Sequence, residues 1–263
     1  MDYLTALVLG IVQGLTEFLP VSSSGHLEII KGIFATDFDP KESLIMTVVL
    51  HFATALSTIF IFRKEILQII IGVFSKKSSK ERIFALNIIV SMIPAAMVGV
   101  FFNDIIESLF DGQLFLVGIM LIITGILLFF ADKAKPTNNV ISTSQSLLIG
   151  IAQAIAILPG ISRSGATIAT SVILGLDKTS SAKFSFLMVV PLIFGKVAKD
   201  LLDGNIFSEA INLGPLTLGF VTAFFTGLFA CKWMISIVKS SKLKYFSYYC
   251  FIIAFITIIF KLL

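Results

Sequence analysis

The sequence predicts an all-α polytopic membrane protein: six transmembrane helices plus two re-entrant helix hairpins, arranged as inverted repeats. Three observations predict it. The chain of 263 residues is 57% hydrophobic and 14% charged, with a mean hydropathy of +1.00. That is the balance of an integral membrane protein, not of a soluble domain with a large core. Six apolar segments are long enough to span a bilayer. Two further apolar segments are broken at their centres by a proline and a Ser/Gly turn, and the second matches the first at an offset of 140 residues.

The first broken segment is 3–35, interrupted at Pro20 and Ser22–Gly25. Each half is too short to cross about 30 Å of hydrocarbon at a rise of about 1.5 Å per residue. Irregular backbone at membrane depth must be buried in protein or line water, so the expectation is a re-entrant pair of short helices. Spans follow at 43–62, 83–102 and 112–131. The second broken segment, 143–176, is interrupted at Pro159 and Ser162–Gly165 and is followed by spans at 180–201, 214–238 and 245–262. The chain then reads as one membrane domain, 1–263, made of repeats at approximately 1–131 and 143–263. Three spans per repeat is an odd number, so the second repeat enters the membrane upside down.

The register of the repeat supports this reading. At the offset of 140, Gly10, Ile11 and Gln13 fall on Gly150, Ile151 and Gln153, and Ser22, Ser24 and Gly25 fall on Ser162, Ser164 and Gly165. Ser23 falls on Arg163 and His51 on Pro191, while Pro20 and Pro159 are one step out of register.

Charge sets the orientation. With the N-terminus outside, fourteen of the 20 basic residues are cytoplasmic: Arg63, Lys64, Lys76, Lys77, Lys80, Arg82, Lys133, Lys135, Lys178, Lys183, Lys232, Lys239, Lys242 and Lys244. Five are external (Lys31, Lys41, Lys196, Lys199 and Lys261), and Arg163 is intramembrane. This obeys the positive-inside rule, and the flipped arrangement violates it in the long loops. The basic loop 63–82 reads as a topology signal lying near anionic lipid. Acidic residues gather outside, at Asp37, Asp39, Asp104, Glu107, Asp111, Asp203 and Glu209. The formal charge of +4 reports orientation, and no nucleic-acid partner is implied. The N-terminal segment lacks the basic region of a cleavable signal peptide. Cys231 and Cys250 lie in apolar segments and imply no disulfide framework.

The two breaks carry the chemistry. QGLTEFLPVSSSGH (13–26) and QAIAILPGISRSGAT (153–167) hold polar groups that hydrocarbon does not tolerate alone. The simplest arrangement has them facing each other around one polar site. A Ser/Gly turn ahead of a short helix is a phosphate cradle in composition: glycine admits close approach, and hydroxyls, N–H groups and the helix dipole face the anion. Ser22, Ser24, Gly25, Gly160, Ser162, Ser164, Gly165 and Thr167 are the candidate substrate-binding residues, with N-capping as the structural alternative for the serines. Arg163 adds a planar fork matching two phosphate oxygens. Gln13 and Glu17 share a helical face at i, i+4. Together with pyrophosphate oxygens and water they could hold Mg²⁺ or Ca²⁺; the alternative for Glu17 is an ion pair with Arg163. His26 is a candidate nucleophile, base or acid. Glu17, Ser23, His26 and Arg163 are thus the candidate catalytic set. His51, in a plain span, is read as packing or outer support.

These motifs resemble the two signatures of the undecaprenyl pyrophosphate phosphatase family, the integral membrane type associated with bacitracin resistance. The first is carried here by Gln13, Glu17, Ser22, Ser23, Ser24, Gly25 and His26, the second by Pro159, Gly160, Ser162, Arg163, Ser164 and Thr167. LHFAT at 50–54, IPAAMVG at 93–99 and overall length extend the likeness. Gln13 stands where many members have Glu, which departs from a cation held by two carboxylates. The resemblance implies loss of the terminal phosphate from undecaprenyl pyrophosphate, recycling a cell-wall carrier lipid. It also implies a divalent cation and a bacterial plasma membrane. An outward-opening site is expected from the hairpin that brings most of the chemistry. Monomer and homodimer both remain open. A lipid-phosphate flippase or anion transporter is the main alternative, since inverted repeats and broken helices are transporter features. The phosphatidic-acid type of membrane phosphatase needs a later histidine, and no His follows His51.

Overall fold

A computed structural model of the chain describes residues 1–34, 40–75, 79–110, 113–135, 140–202, 212–239 and 242–262. Among these, all regular structure is helical. Asp37, Asp39, Lys76, Lys77, Asp111, Asp203 and Glu209, counted above in the charge distribution, lie outside the described residues.

The helices are α1 (Tyr3–Phe18), α2 (Ser23–Phe34), α3 (Pro40–Ile61), α4 (Arg63–Phe74), α5 (Ser79–Phe101), α6 (Asn103–Leu109), α7 (Leu114–Lys133), α8 (Thr143–Ile155), α9 (Arg163–Ile173), α10 (Lys178–Leu202), α11 (Leu213–Lys239) and α12 (Lys244–Leu262). Six of them, α3, α5, α7, α10, α11 and α12, are long and apolar enough to cross a membrane, one for each expected span. The chain is a multi-pass membrane protein.

Both broken segments resolve into two helices each, and the local chemistry explains the breaks. Asp2 caps α1, its side chain accepting from Thr5 N at 2.8 Å. The helix stops at Phe18 because Pro20 biases the preceding residue away from α geometry. Ser142 opens α8 with a capping box completed by Gln145. The helix ends ahead of Pro159. The next helices, α2 and α9, begin 140 residues apart, at Ser23 and Arg163.

The stretch 63–82 is not a loop throughout. It holds α4, which leaves Leu67, Ile70, Ile71 and Phe74 exposed and turns back onto α5. Helical spacing of Leu and Ile within RKEILQIIIGVF, between basic residues, makes an amphipathic helix of the kind that lies along a membrane surface.

The packing is reciprocal. α1 lies on α11 and α8 lies on α5; α7 packs on α12, and α3 on α10. Gly10 and Gly14 let α1 approach α11 so closely that a Cβ at either would overlap the hydroxyl of Thr222 or Thr226. Small residues at such contacts are what bring helices together where lipid removes the hydrophobic drive. Buried hydroxyls are satisfied within their own helices or across an interface, as Ser57 Oγ to the Phe224 carbonyl (2.8 Å) and Ser247 Oγ to the Gly125 carbonyl (2.6 Å). Apolar side chains such as Phe225, Phe229, Ile252 and Phe255 project outward, as a lipid-facing belt requires. The largest apolar core gathers Phe18, Ile168, Val172, Phe186 and Met234, from α1, α9, α10 and α11.

Candidate active site

The two breaks meet. Ser164 Oγ donates to the Leu19 carbonyl at 3.1 Å, and a Cβ added to Gly25 would stand 3.1 Å from the Gly160 Cα. Gly160 has φ +97° and sits against the Val117 carbonyl, so both its backbone region and its surroundings require glycine. Thr124 on α7 clamps the second turn, accepting from Ser162 N (3.0 Å) and donating to the Gly160 carbonyl (3.3 Å).

The turns are built alike. Ser22 Oγ accepts from Gly25 N at 3.1 Å, and Ser162 Oγ accepts from Gly165 N at 3.0 Å. The Ser22–Ser24 and Ser162–Ser164 hydroxyl pairs are each separated by 3.3 Å. Ser22 and Ser162 are therefore committed to capping. They differ in backbone: Ser22 has φ 70°, a left-handed conformation costing a non-glycine residue about 1–3 kcal/mol, whereas Ser162 is extended at φ −73°.

Glu17 is the hub. Its Oε1 takes the guanidinium Nη2 of Arg163, and its Oε2 accepts from Ser23 Oγ at 2.6 Å and Gln13 Nε2 at 3.0 Å. His51 Nε2 lies 3.8 Å from the same Oε2. Glu17 is only 7% exposed. A carboxylate buried this far is tolerable because a charge and two hydrogen bonds replace its hydration. Arg163 reaches it from the first residue of α9, and its Nη1 donates to the Ser185 carbonyl at 3.3 Å. Thr167 lies against the second turn. It is fully buried, its hydroxyl paired with Ser185 Oγ at 2.6 Å and donating to the Arg163 carbonyl at 2.8 Å, so it fixes the backbone that carries Arg163.

His26 stands apart from this hub. Its Nδ1 donates to the Ser22 carbonyl at 2.7 Å, and its Nε2 meets the Tyr249 hydroxyl at 2.8 Å, with the two rings stacked at 5.6 Å. A carbonyl only accepts, so Nδ1 carries the proton. Both ring nitrogens are occupied, and the imidazole braces the strained Ser22 carbonyl from behind.

Of the residues singled out from sequence, the structure unites Gln13, Glu17, Ser23 and Arg163 in one cluster, with Gln13 and Glu17 buried and Ser23 and Arg163 half-buried. It brings the Ser22–Gly25 and Gly160–Gly165 backbones around that cluster. His51, read from the sequence as packing or outer support, borders Glu17. A lone His in an apolar span gives no hint of a partner contributed by another helix. Thr124, Ser185 and Tyr249 were missed for the same reason, as single polar residues without a motif.

A hard divalent cation needs oxygen donors, and this site offers them. Gln13 Oε1 is buried and has no hydrogen-bond partner among the described residues, while the same amide's Nε2 touches Glu17. No cluster of three His, Cys, Asp or Glu occurs among the described residues. The protein thus fits a cation shared with phosphate oxygens and water better than one caged by protein alone.

Comparison with known proteins follows the same lines. The family of the bacitracin resistance protein BacA matches residues 6–256. A protein of Christiangramia forsetii named undecaprenyl-diphosphatase is 56% identical over 260 residues, covering 99% of this chain and 98% of that one. Proteins of the same name from Bacteroides fragilis (47% identical, 98% of both chains) and Methanococcus vannielii (43% identical, 94% of this chain and 95% of that one) are also similar. With the match extending through both turns and all six long helices, the chain belongs to the bacitracin resistance protein BacA family.

Proposed function

We propose that this chain is an undecaprenyl-diphosphatase, removing the terminal phosphate of undecaprenyl pyrophosphate to leave the monophosphate carrier lipid and inorganic phosphate. One observation carries the reading: the Ser23 hydroxyl is hydrogen-bonded to a buried carboxylate, Glu17, which is itself paired with the Arg163 guanidinium where two helix N-termini meet.

In this mechanism the pyrophosphate enters between the turns. Arg163 turns its fork to two phosphate oxygens, and the N-terminal N–H groups of α2 and α9 add donors and positive dipole ends. Ser23 Oγ attacks the terminal phosphorus. Its proton passes to Glu17 Oε2, already 2.6 Å away, and the bond from phosphorus to the bridging oxygen breaks. Undecaprenyl phosphate leaves with that oxygen. Glu17 then gives up the proton to solvent, accepts one from the water that attacks the phosphoserine, and passes it to Ser23 Oγ as the ester bond breaks, which restores Ser23 and frees phosphate. His26 holds Ser22, and thereby the backbone presenting Ser23. Gln13 Oε1 and Glu17 would hold a divalent cation, which neutralises phosphate charge when bound.

The finer architecture belongs to the same proposal. Residues approximately 1–131 and 143–263 are inverted repeats forming one membrane domain, and α1–α2 and α8–α9 are the re-entrant hairpins. Matching start positions of α2 and α9, matched capping in the two turns and reciprocal packing of α1 on α11 and α8 on α5 support this. The membrane is the bacterial plasma membrane, and the site opens to its outer face, supported by the basic bias placed on the opposite side. A flippase or anion transporter would use a similar scaffold, but neither needs a serine hydroxyl bonded to a carboxylate.

The test is phosphate release from undecaprenyl pyrophosphate by purified protein in detergent, where no gradient exists, with and without chelator. Release that depends on the cation supports the reading. Absence of release, with transport in vesicles, would favour the alternative.

A further inference from the structure

We propose that Tyr249 is a positioning residue for the reaction: acting through His26, it fixes the peptide plane between Ser22 and Ser23 and so the aim of the Ser23 hydroxyl. The inference rests on the phosphatase reading, in which Ser23 attacks phosphorus, and it adds a residue of α12 that neither motif contains.

The chain of contacts is short. The Tyr249 hydroxyl lies 2.8 Å from His26 Nε2, and His26 Nδ1 lies 2.7 Å from the Ser22 carbonyl oxygen. The carbonyl only accepts, so Nδ1 holds the proton. In the neutral ring the second nitrogen is an acceptor, so the Tyr249 hydroxyl donates to Nε2. Which nitrogen of an imidazole carries the proton is set by the bond that the other one makes. Without a donor at Nε2, the proton is free to move there. Nδ1 would then turn a lone pair on the Ser22 carbonyl, and the brace would become a repulsion. The tyrosine hydroxyl thus selects the bracing tautomer.

The backbone at this point needs a brace. Among the described residues, Ser22 is the only non-glycine residue with a positive φ, at 70°. Its carbonyl lies in the same rigid plane as the Ser23 N–H. The same oxygen also accepts from His26 N at 3.1 Å. Two bonds from His26 therefore hold the plane at which the chain enters α2. Tilting it swings the Ser23 side chain, whose hydroxyl is 2.6 Å from Glu17 Oε2. Misplacement of a reacting group by about 1 Å is enough to cost much of its rate.

Packing supports the assignment independently. The His26 and Tyr249 rings are stacked, with centroids 5.6 Å apart and planes within 7°. The next residue of α12, Cys250, aims its Sγ at the Pro20 carbonyl at 3.7 Å. Helix α12 thus holds the first turn at two consecutive residues, as Thr124 of α7 holds the second. Since α7 packs along α12, each turn is tied to one member of a single helix pair.

The experiment uses the full chain in detergent, with undecaprenyl pyrophosphate as substrate and histidine labelled with ¹⁵N. Tyr249→Phe keeps the stacked ring and removes only the hydroxyl; thermal unfolding is recorded to show that it is folded. Its kcat should fall about tenfold, the effect of one hydrogen bond, while KM stays within about twofold. In a His26→Ala background the same substitution should change kcat by less than about twofold, because the link is already cut. The chain has two histidines, His26 and His51, and His26→Ala identifies their signals. Wild-type His26 should be protonated at Nδ1 and bare at Nε2, and in Tyr249→Phe the proton should appear at Nε2. A wild-type His26 bare at Nδ1, a tautomer that ignores the substitution, an unchanged kcat, or an equal loss in both backgrounds would overturn the proposal. Phosphate release by the wild type separates the two ideas: an active enzyme with unchanged kcat in Tyr249→Phe rejects only the role of Tyr249, and an inactive one rejects the phosphatase reading and this role with it.

Discussion

The Glu17 carboxylate and the Arg163 guanidinium, 146 residues apart, form an ion pair across the junction of the two turns. The pair ties α1 to α9 at the point where substrate would bind, so it couples folding to catalysis. Removing one member leaves the other as a buried, uncompensated charge, a loss of about 3–5 kcal/mol. Glu17→Gln should therefore unfold at a lower temperature than wild type and lose at least about a hundredfold in turnover. Glu17→Gln combined with Arg163→Met should regain most of the thermal stability and none of the activity. Thermal unfolding by tryptophan fluorescence and phosphate release measure the two effects separately. Equal stability of single and double variants would reduce the pair to a surface-like contact.

Arg163→Lys is expected to be nearly as inactive as Arg163→Ala. A lysine keeps the charge but not the two-pronged donor geometry. It also cannot bond Glu17 and the Ser185 carbonyl together, as Nη2 and Nη1 do. Steady-state kinetics on the two variants decide this. Near-normal kcat/KM for the lysine variant would make Arg163 a generic counter-charge.

Thr124→Val should lower activity without touching substrate. The hydroxyl joins Ser162 N to the Gly160 carbonyl, and its loss leaves a buried donor and acceptor unmatched at about 1–3 kcal/mol. The effect should appear in thermal unfolding and in kcat together, while Thr124→Ser retains both. A valine variant indistinguishable from wild type would show that the second turn holds its shape alone.

Ser24→Cys reports on the opening of the site. Cys231 and Cys250 are buried and free and are replaced first. Ser24 is partly exposed on the first turn. In intact cells a membrane-impermeant thiol reagent should label it, and methylenediphosphonate should protect it. Labelling confined to inside-out vesicles would place the opening on the cytoplasmic side.

Much of this arrangement was legible in the sequence because membranes leave few choices. Each of the six apolar segments became one long helix, and each Pro-and-Ser/Gly break became a pair of short helices. The turns announced their capping serines through spacing, and the offset of 140 predicted α9 from α2. What stayed hidden was contributed by single residues on other helices. Thr124, Ser185, His51 and Tyr249 reach the turns through packing of α7, α10, α3 and α12, which no local pattern encodes. Helix α4 was missed because its charges are concentrated at the two ends of the stretch, and the apolar spacing of Leu67, Ile70, Ile71 and Phe74 lay between them. His26 is the converse case: its motif suggested reactivity, and no local pattern shows that its two nitrogens meet the Ser22 carbonyl and the Tyr249 hydroxyl.

The most direct test of the account is to find where phosphate resides during turnover. Undecaprenyl pyrophosphate labelled on its terminal phosphate is mixed with enzyme, quenched in acid within milliseconds, and the protein is digested and mapped by mass spectrometry. A parallel quench under alkaline conditions preserves any phospho-imidazole. The account predicts acid-stable phosphate on Ser23 in wild type, none in Ser23→Ala, and residual phosphoserine in His26→Ala because His26 only braces the turn. Alkali-stable label on His26 with Ser23 unmodified would contradict it.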